Sequence, residues 1–267
     1  MVVGTIACQP PGTSELGSRG SSASALAPSY WPAGQAAFPL NVKISQDFLS
    51  NESDAISTSA SNWSGSVDNR VTFFNTTSTT TEKGGSLGSY NDGEFGIYKL
   101  TTWPAELPGS ALAVTQIFGL RKNIGSSNES IEITHADIMV NYDNFSFSTN
   151  NGSGYDLETV VLHEFGHFLG LGHDSSSVSQ SVMYPTISRY TSSRSPLEND
   201  ISNLKELYGI SGATQSNAGF RGIASISERS EQSSDPGELV VIQFEINADG
   251  SERVKVNNKY IEHNCKH

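Results

Sequence analysis

His163-Glu164-Phe165-Gly166-His167-Phe168-Leu169-Gly170-Leu171-Gly172-His173 is the stretch on which the fold and chemistry of this chain turn. It spells H-E-x-x-H-x-x-G-x-x-H, and Met183 stands ten residues beyond its last histidine. Three of the six histidines in the 267-residue chain fall within these eleven positions. On an α-helix, residues four apart stand one above the other on the same face, so His163 and His167 can turn their imidazoles toward a single ion. Glu164 lies beside that pair, within reach of a water. A third ligand on the same face would come from about the next turn, but Gly170 intervenes. Glycine tolerates the left-handed backbone that ends helices, so the chain can turn there and bring His173 in from another direction. Three protein ligands leave one tetrahedral position open, the arrangement of catalytic rather than structural zinc.

At these residues the chain resembles the metzincin metallopeptidases, and more narrowly the matrixins. The resemblance implies His163, His167 and His173 as zinc ligands, Glu164 as general base, and Met183 as the methionine of the turn beneath the metal. It extends to Leu112-Ala113-Val114-Thr115 and Ala136-Asp137-Ile138, which look like sheet segments, and to Ile56–Trp63, which looks like a first helix. Pro196–Ile201, running on to Leu207-Tyr208-Gly209, looks like a last helix, so the likeness covers roughly residues 38–209. The fold it implies is α+β: a twisted, mostly parallel sheet of about five strands with an antiparallel edge strand, and about three helices.

Three features depart from the matrixin pattern. Asp174 follows the third histidine, where matrixins carry Ser and adamalysins Asp. No pro-segment thiol switch is visible. Only His135 is available for a second, structural zinc before the active helix, so one zinc is expected. Calcium stays open as a further ion, with Asn91-Asp92-Gly93-Glu94 and Asp137 as oxygen donors; turn-forming acids explain the same residues equally well.

Composition narrows the class of protein. A net charge of −12, with charged residues at only 16%, lacks the basic clusters that phosphate binding needs, so no nucleic-acid partner is expected. No apolar run approaches the roughly 20 residues that span a bilayer. Cys8 and Cys265 are the only cysteines, which excludes a disulfide framework. Cys8, between small residues and a Pro/Gly/Ser-rich stretch, is open to two readings: a lipid anchor, or an incidental residue near a trimmed leader. A secreted or cell-envelope monomer fits either.

Composition shifts divide the chain into a leader or tether over residues 1–37, a catalytic domain over 38–209, and an extension over 210–267. The tether is expected to be largely flexible. Asp156 makes an N-cap for the active helix. In the extension, residues 210–237 read as a linker. Glu238–Ile246, Asp249-Gly250 and Ser251–Val256 then read as a β-hairpin, which should dock on the catalytic domain or on a partner.

The function implied is a zinc metalloendopeptidase acting on protein or peptide substrates. Metzincins hold an extended peptide against a sheet edge, here assigned by resemblance to Ser110–Phe118 with Leu112, Ala113 and Val114 at its centre. Tyr184 and Pro185, after Met183, would wall a side-chain pocket. A zinc-holding binding or adhesion module without activity is the alternative, and the intact Glu164 argues against it.

Overall fold

The computed structural model describes residues 26–77, 79–80, 86–150, 152–174, 180–211, 235–248 and 252–261. Cys8, Cys265 and the Asp249-Gly250 turn lie outside the described residues. The elements run β1 (Ser29–Tyr30), β2 (Leu40–Asn41), β3 (Lys43–Ser45), α1 (Ser50–Ser66), β4 (Phe74–Asn75), β5 (Thr79–Thr80) and β6 (Gly96–Leu100). They continue with β7 (Ala111–Lys122), β8 (Ser130–Asn141), β9 (Phe147–Ser148), β10 (Tyr155–Asp156), α2 (Leu157–Phe168) and α3 (Glu198–Tyr208). The chain ends with β11 (Glu238–Asn247), β12 (Glu252–Val256) and β13 (Lys259–Tyr260).

Alternation along the strands makes a sheet with two apolar faces. Ile97, Ile138 and Val140 point to the side on which the helices pack, into a core holding Ile56, Trp63, Val161, Phe165 and Phe168. Tyr98, Met139 and Val114 point to the other side, into a second cluster with Leu87, Tyr90, Trp103 and Leu107. The strand order is β13-β12-β11-β7-β8-β6-β3-β5, with β1 also pairing with β8, nine strands among the described residues. Strands β5, β3, β6 and β8 run parallel to one another, and β7 lies antiparallel to β8.

One expectation fails here. Strand β7 is not an edge: β11 pairs antiparallel with it from Glu238↔Arg121 to Ile246↔Ala113, and β12 pairs antiparallel with β11. A sheet of five strands ending at β7 is thus extended by the C-terminal strands. Within the segment expected as a leader or tether, residues 29–31 contact the sheet and α2. Ser29 and Tyr30 pair with Ile131 and Glu132 of β8, and Trp31 is buried with its ring stacked on Phe168.

Helix α2 carries the decisive motif, and its two ends are well secured. Asp156 caps the N-terminus, its Oδ1 accepting from Thr159 N at 2.9 Å and Thr159 Oγ1 at 2.7 Å. Arg194 reaches back to pair with the same carboxylate. At the C-terminus Gly170 adopts φ +93°, with Gly170 N donating to His167 O and Leu171 N to Gly166 O. That is the paired-hydrogen-bond ending of a helix closed by a left-handed residue. Helix α1 crosses α2 and is tied to it by Trp63 Nε1 donating to Leu162 O at 3.0 Å and Ser59 Oγ to Glu158 O at 2.9 Å.

Candidate metal centre

The chain reversal at Gly170 brings three imidazoles to one point. His167 Nε2 lies 3.0 Å from His163 Nε2 and 3.1 Å from His173 Nε2. A tetrahedral zinc with bonds of roughly 2.05 Å needs its nitrogens about 3.3 Å apart, so the triangle is close to the required size. The two helical rings are held from behind: His163 Nδ1 is 2.8 Å from Val182 O, and His167 Nδ1 is 2.8 Å from Leu171 O. Carbonyl partners make each Nδ1 the donor and leave each Nε2 with a lone pair for an ion. Burial, with repulsion from His173, holds His163 down to about 3, and His167 is likewise lowered. Both rings are therefore neutral at pH 7, the form that binds metal. The donor set fits zinc, and among the described residues these three histidines form the group able to hold such an ion.

Glu164 is fully buried beside this triangle. Thr115 of β7 donates to Glu164 through its hydroxyl, touching both the carboxylate Oε2 and, at 3.1 Å, the backbone oxygen. The other oxygen, Oε1, has no hydrogen-bond partner among the described residues. Burial pushes the carboxyl up to about 8, the Thr115 bonds offsetting part of the rise. A bound divalent cation would pull it down again.

The sign of the resulting pH dependence follows from that shift. The folded value lies above the ordinary 4.5, so this group's contribution is fully present below about 4.5 and is lost as pH rises through about 8. His163 acts oppositely: from its side, stability grows as pH rises between about 3 and 6.5. In chelator, the denaturation midpoint of the wild type should therefore fall more between about pH 6 and about pH 8 than that of Glu164→Gln, which keeps only the losses of other groups such as His135. Equal alkaline losses in both proteins would show that the carboxyl is not perturbed as described.

Below the histidines, the Met183 turn is held by a residue that the sequence did not single out. Asp200, buried in the first turn of α3, accepts from Ser181 Oγ at 2.6 Å, Val182 N at 2.8 Å and Leu197 N at 2.8 Å. It thereby positions the Val182 carbonyl that orients His163. Met183 packs against α2 at Gly166, where an added Cβ would come within 2.2 Å of the methionine sulfur. Asp174 takes the role of a structural link: its backbone N donates to Met183 O at 2.9 Å, and Asn199 Nδ2 donates to its carboxylate at 3.0 Å.

The residues expected to meet a substrate are placed less simply. Pro185 is buried and Tyr184 half-buried next to Met183. Leu112 and Ala113 lie in the main core, while Val114 turns to the opposite face of the sheet, away from the histidines. The open edge they were expected to present is taken by β11. Phe244 of β11 stands opposite Thr115, its ring stacked on His167 at 4.2 Å between centroids and 12° between planes, and 6.1 Å from His173. Thr115 had a readable signal, a polar residue on the helix-facing side of β7 between Ala113 and Ile117. Phe244 had none, because nothing in its own strand says what it will pair with.

The acids considered for calcium are engaged within the protein. Of the acids in the expected loop, Glu94 pairs with Lys43. Asp92 accepts from Glu94 N at 2.9 Å, and Asp137 binds His135 at 2.7 Å and Gly96 N at 2.9 Å.

Comparison with known proteins agrees with the geometry. Residues 116–209 match the family model for matrixin. Metalloendoproteinase 1 of Glycine max is 47% identical over 58 residues, 22% of this chain and 18% of the relative. Human neutrophil collagenase is 44% identical over 64 residues, 24% of this chain and 13% of the relative. Karilysin of Tannerella forsythia is 52% identical over 50 residues, 19% and 10% respectively. The chain spans less than a fifth of the length of these three relatives.

Proposed function

We propose that the protein, whose residues 116–209 match the matrixin family model, is a zinc metalloendopeptidase that hydrolyses internal bonds of extended peptide substrates. The observation that carries this is the pairing of three converging Nε2 atoms with a buried glutamate whose Oε1 has no partner among the described residues. His163, His167 and His173 would hold one zinc. When bound, zinc supplies a Lewis acid that acidifies water and polarises a carbonyl.

The remaining chemistry falls to the protein. Glu164 takes a proton at Oε1 from the attacking water and returns it to the leaving amine. Thr115 fixes the carboxylate through Oε2, so that Oε1 is the oxygen left for proton transfer. The Val182 and Leu171 carbonyls orient His163 and His167, and Asp200 sets the turn from which the Val182 carbonyl projects. Tyr184 and Pro185, beside Met183, are assigned to the wall of the side-chain pocket. The backbone of β7 around Leu112, Ala113 and Val114 is assigned to pairing with the substrate strand. No helix among the described residues is long and apolar enough to cross a membrane. A secreted or cell-envelope monomer, with Cys8 as its lipid anchor if it has one, fits the composition.

The test is metal analysis together with incubation in a mixed peptide library, read by mass spectrometry with and without chelator. Cuts that chelator abolishes and zinc restores are expected. One zinc per chain with no cut, in the wild type and in a Phe244→Ala variant that uncovers His167, would instead point to a zinc-holding binding module.

A further inference from the structure

We propose that β11 is a built-in competitor for the substrate: it occupies the edge of β7 on which an extended peptide must pair and has to leave before a peptide can enter. The inference rests on the peptidase reading above.

A strand has two hydrogen-bonding edges and no more. One edge of β7 is taken by β8 over Ala113–Lys122. The other is taken by β11, residue against residue from Arg121 to Ala113, and Ala248 N continues the ladder onto Ser110 O at 2.9 Å. Ala113–Phe118 is thus paired on both sides, and Ser110 and Ala111 are taken on the β11 side. Peptide capture by strand addition needs a free edge, so a second strand cannot be added while β11 is in place.

The side chains of β11 complete the closure. Ile242, Phe244 and Ile246 face the helices and are buried, with Phe244 lying flat on the His167 ring. His163, Glu164 and His167 are all at 0% exposure. A site meant to reach a bond inside a protein chain is thereby covered on one side by the chain's own strand, while His173 stays half-buried. On the opposite face, Gln243 Nε2 donates to Gln116 Oε1 at 3.0 Å, and the Lys255–Glu245 pair at 3.2 Å ties β12 to β11. These polar contacts fix the register without touching the metal site.

An intramolecular competitor has a distinctive signature. If only a fraction of molecules is open, the apparent dissociation constant for substrate is the intrinsic one divided by that fraction, so affinity falls while the saturated rate is unchanged. The test uses the full chain in two forms. Phe244→Ala loosens β11 where it covers His167. In a Cys8→Ser, Cys265→Ser background, Gln116→Cys with Gln243→Cys places two thiols directly opposite each other, so that oxidation locks β11 onto β7 and reduction frees it. Peptide cleavage is measured together with the rate at which a chelator strips zinc from the loaded protein, a readout that does not need turnover.

We expect Phe244→Ala to raise kcat/KM about tenfold or more, chiefly through KM, and to speed zinc extraction. The oxidised lock should lower both by a similar factor relative to its reduced form. Cleavage and extraction that ignore both the lock and Phe244→Ala would overturn the inference while leaving the peptidase reading intact, since β11 would then be a permanent strand and peptides would enter elsewhere. No cleavage in any form at one zinc per chain would sink the peptidase reading, and with it β11 as a substrate competitor. In that case slower extraction from the locked form would still uphold β11 as a cover over the metal, and equal extraction would overturn that as well.

Discussion

Glu164→Gln is expected to keep one zinc per chain and to lose about 10²–10⁴-fold in kcat, with KM little changed. The reasoning starts from what the substitution leaves alone. Glutamine matches glutamate in volume, so the fully buried position is neither emptied nor overfilled. The Thr115 hydroxyl can still donate to the side-chain oxygen that replaces Oε2, so the rotamer should hold. The three Nε2 atoms are positioned by the Val182 and Leu171 carbonyls and by the turn at Gly170, none of which involves the Glu164 side chain. What disappears is an oxygen able to accept a proton and give it back. A loss shared equally by kcat and kcat/KM marks a group acting in the transition state rather than in binding. Metal content measured on the same sample separates lost chemistry from lost zinc. A variant that turns over within a few fold of the wild type would remove Glu164 from the mechanism. Glu164→Ala is the weaker test, because it would leave a cavity and a buried Thr115 hydroxyl without its partner.

How much of this could be read from the sequence depends on how local each feature is. The histidine pair needs only the helical period, and the third histidine needs only a glycine at the right place; both are short-range facts, and Gly170 does take the positive φ that the spacing demanded. Asp156 as N-cap is local in the same sense. The strands at 96–100, 111–122 and 130–141 announce themselves by apolar runs. Pairing between distant strands is another matter. The pattern of Glu238–Ile246 says that a strand forms there, but not that its neighbour is β7, more than a hundred residues earlier. The resemblance pointed the other way, toward a free edge at Ser110–Phe118. Residues 26–37 are hard to read for a different reason. Their Ser/Ala/Pro composition reads as tether, yet Trp31 finds the end of α2 and anchors them. Asp200 was hidden because an acid in the first turn of a helix is ordinarily there for the helix itself. That it also accepts from Val182 N and Ser181 Oγ is a tertiary fact.

Gly170→Ala should lower stability by about 3 kcal/mol or more and reduce zinc retention with it. Two penalties coincide. At φ +93° an L-residue is strained by roughly 1–2 kcal/mol. The added Cβ would also meet Ser29 O at 2.2 Å and Ser29 C at 2.8 Å, backbone atoms of β1 that cannot swing aside like the end of a side chain. Moving β1 is expensive because it is pinned on both sides. Its residues pair with β8, and just beyond it Trp31 Nε1 donates to Phe168 O at 2.9 Å while Tyr208 Oη donates to Leu169 O at 2.7 Å. Those two bonds satisfy carbonyls that the end of α2 would otherwise leave buried and unpaired. Strain at Gly170 therefore passes in two directions, into the N-terminal strand and into the segment that delivers His173. Gly172→Ala is the matched control, two residues away, with nothing within 4 Å of the point where its Cβ would stand and no positive φ. Thermal midpoints and zinc content of the two variants, measured side by side, give the answer. A Gly170→Ala protein as stable and as zinc-replete as Gly172→Ala would mean that β1 does not hold the end of α2, and that His173 is placed by the Met183 turn alone.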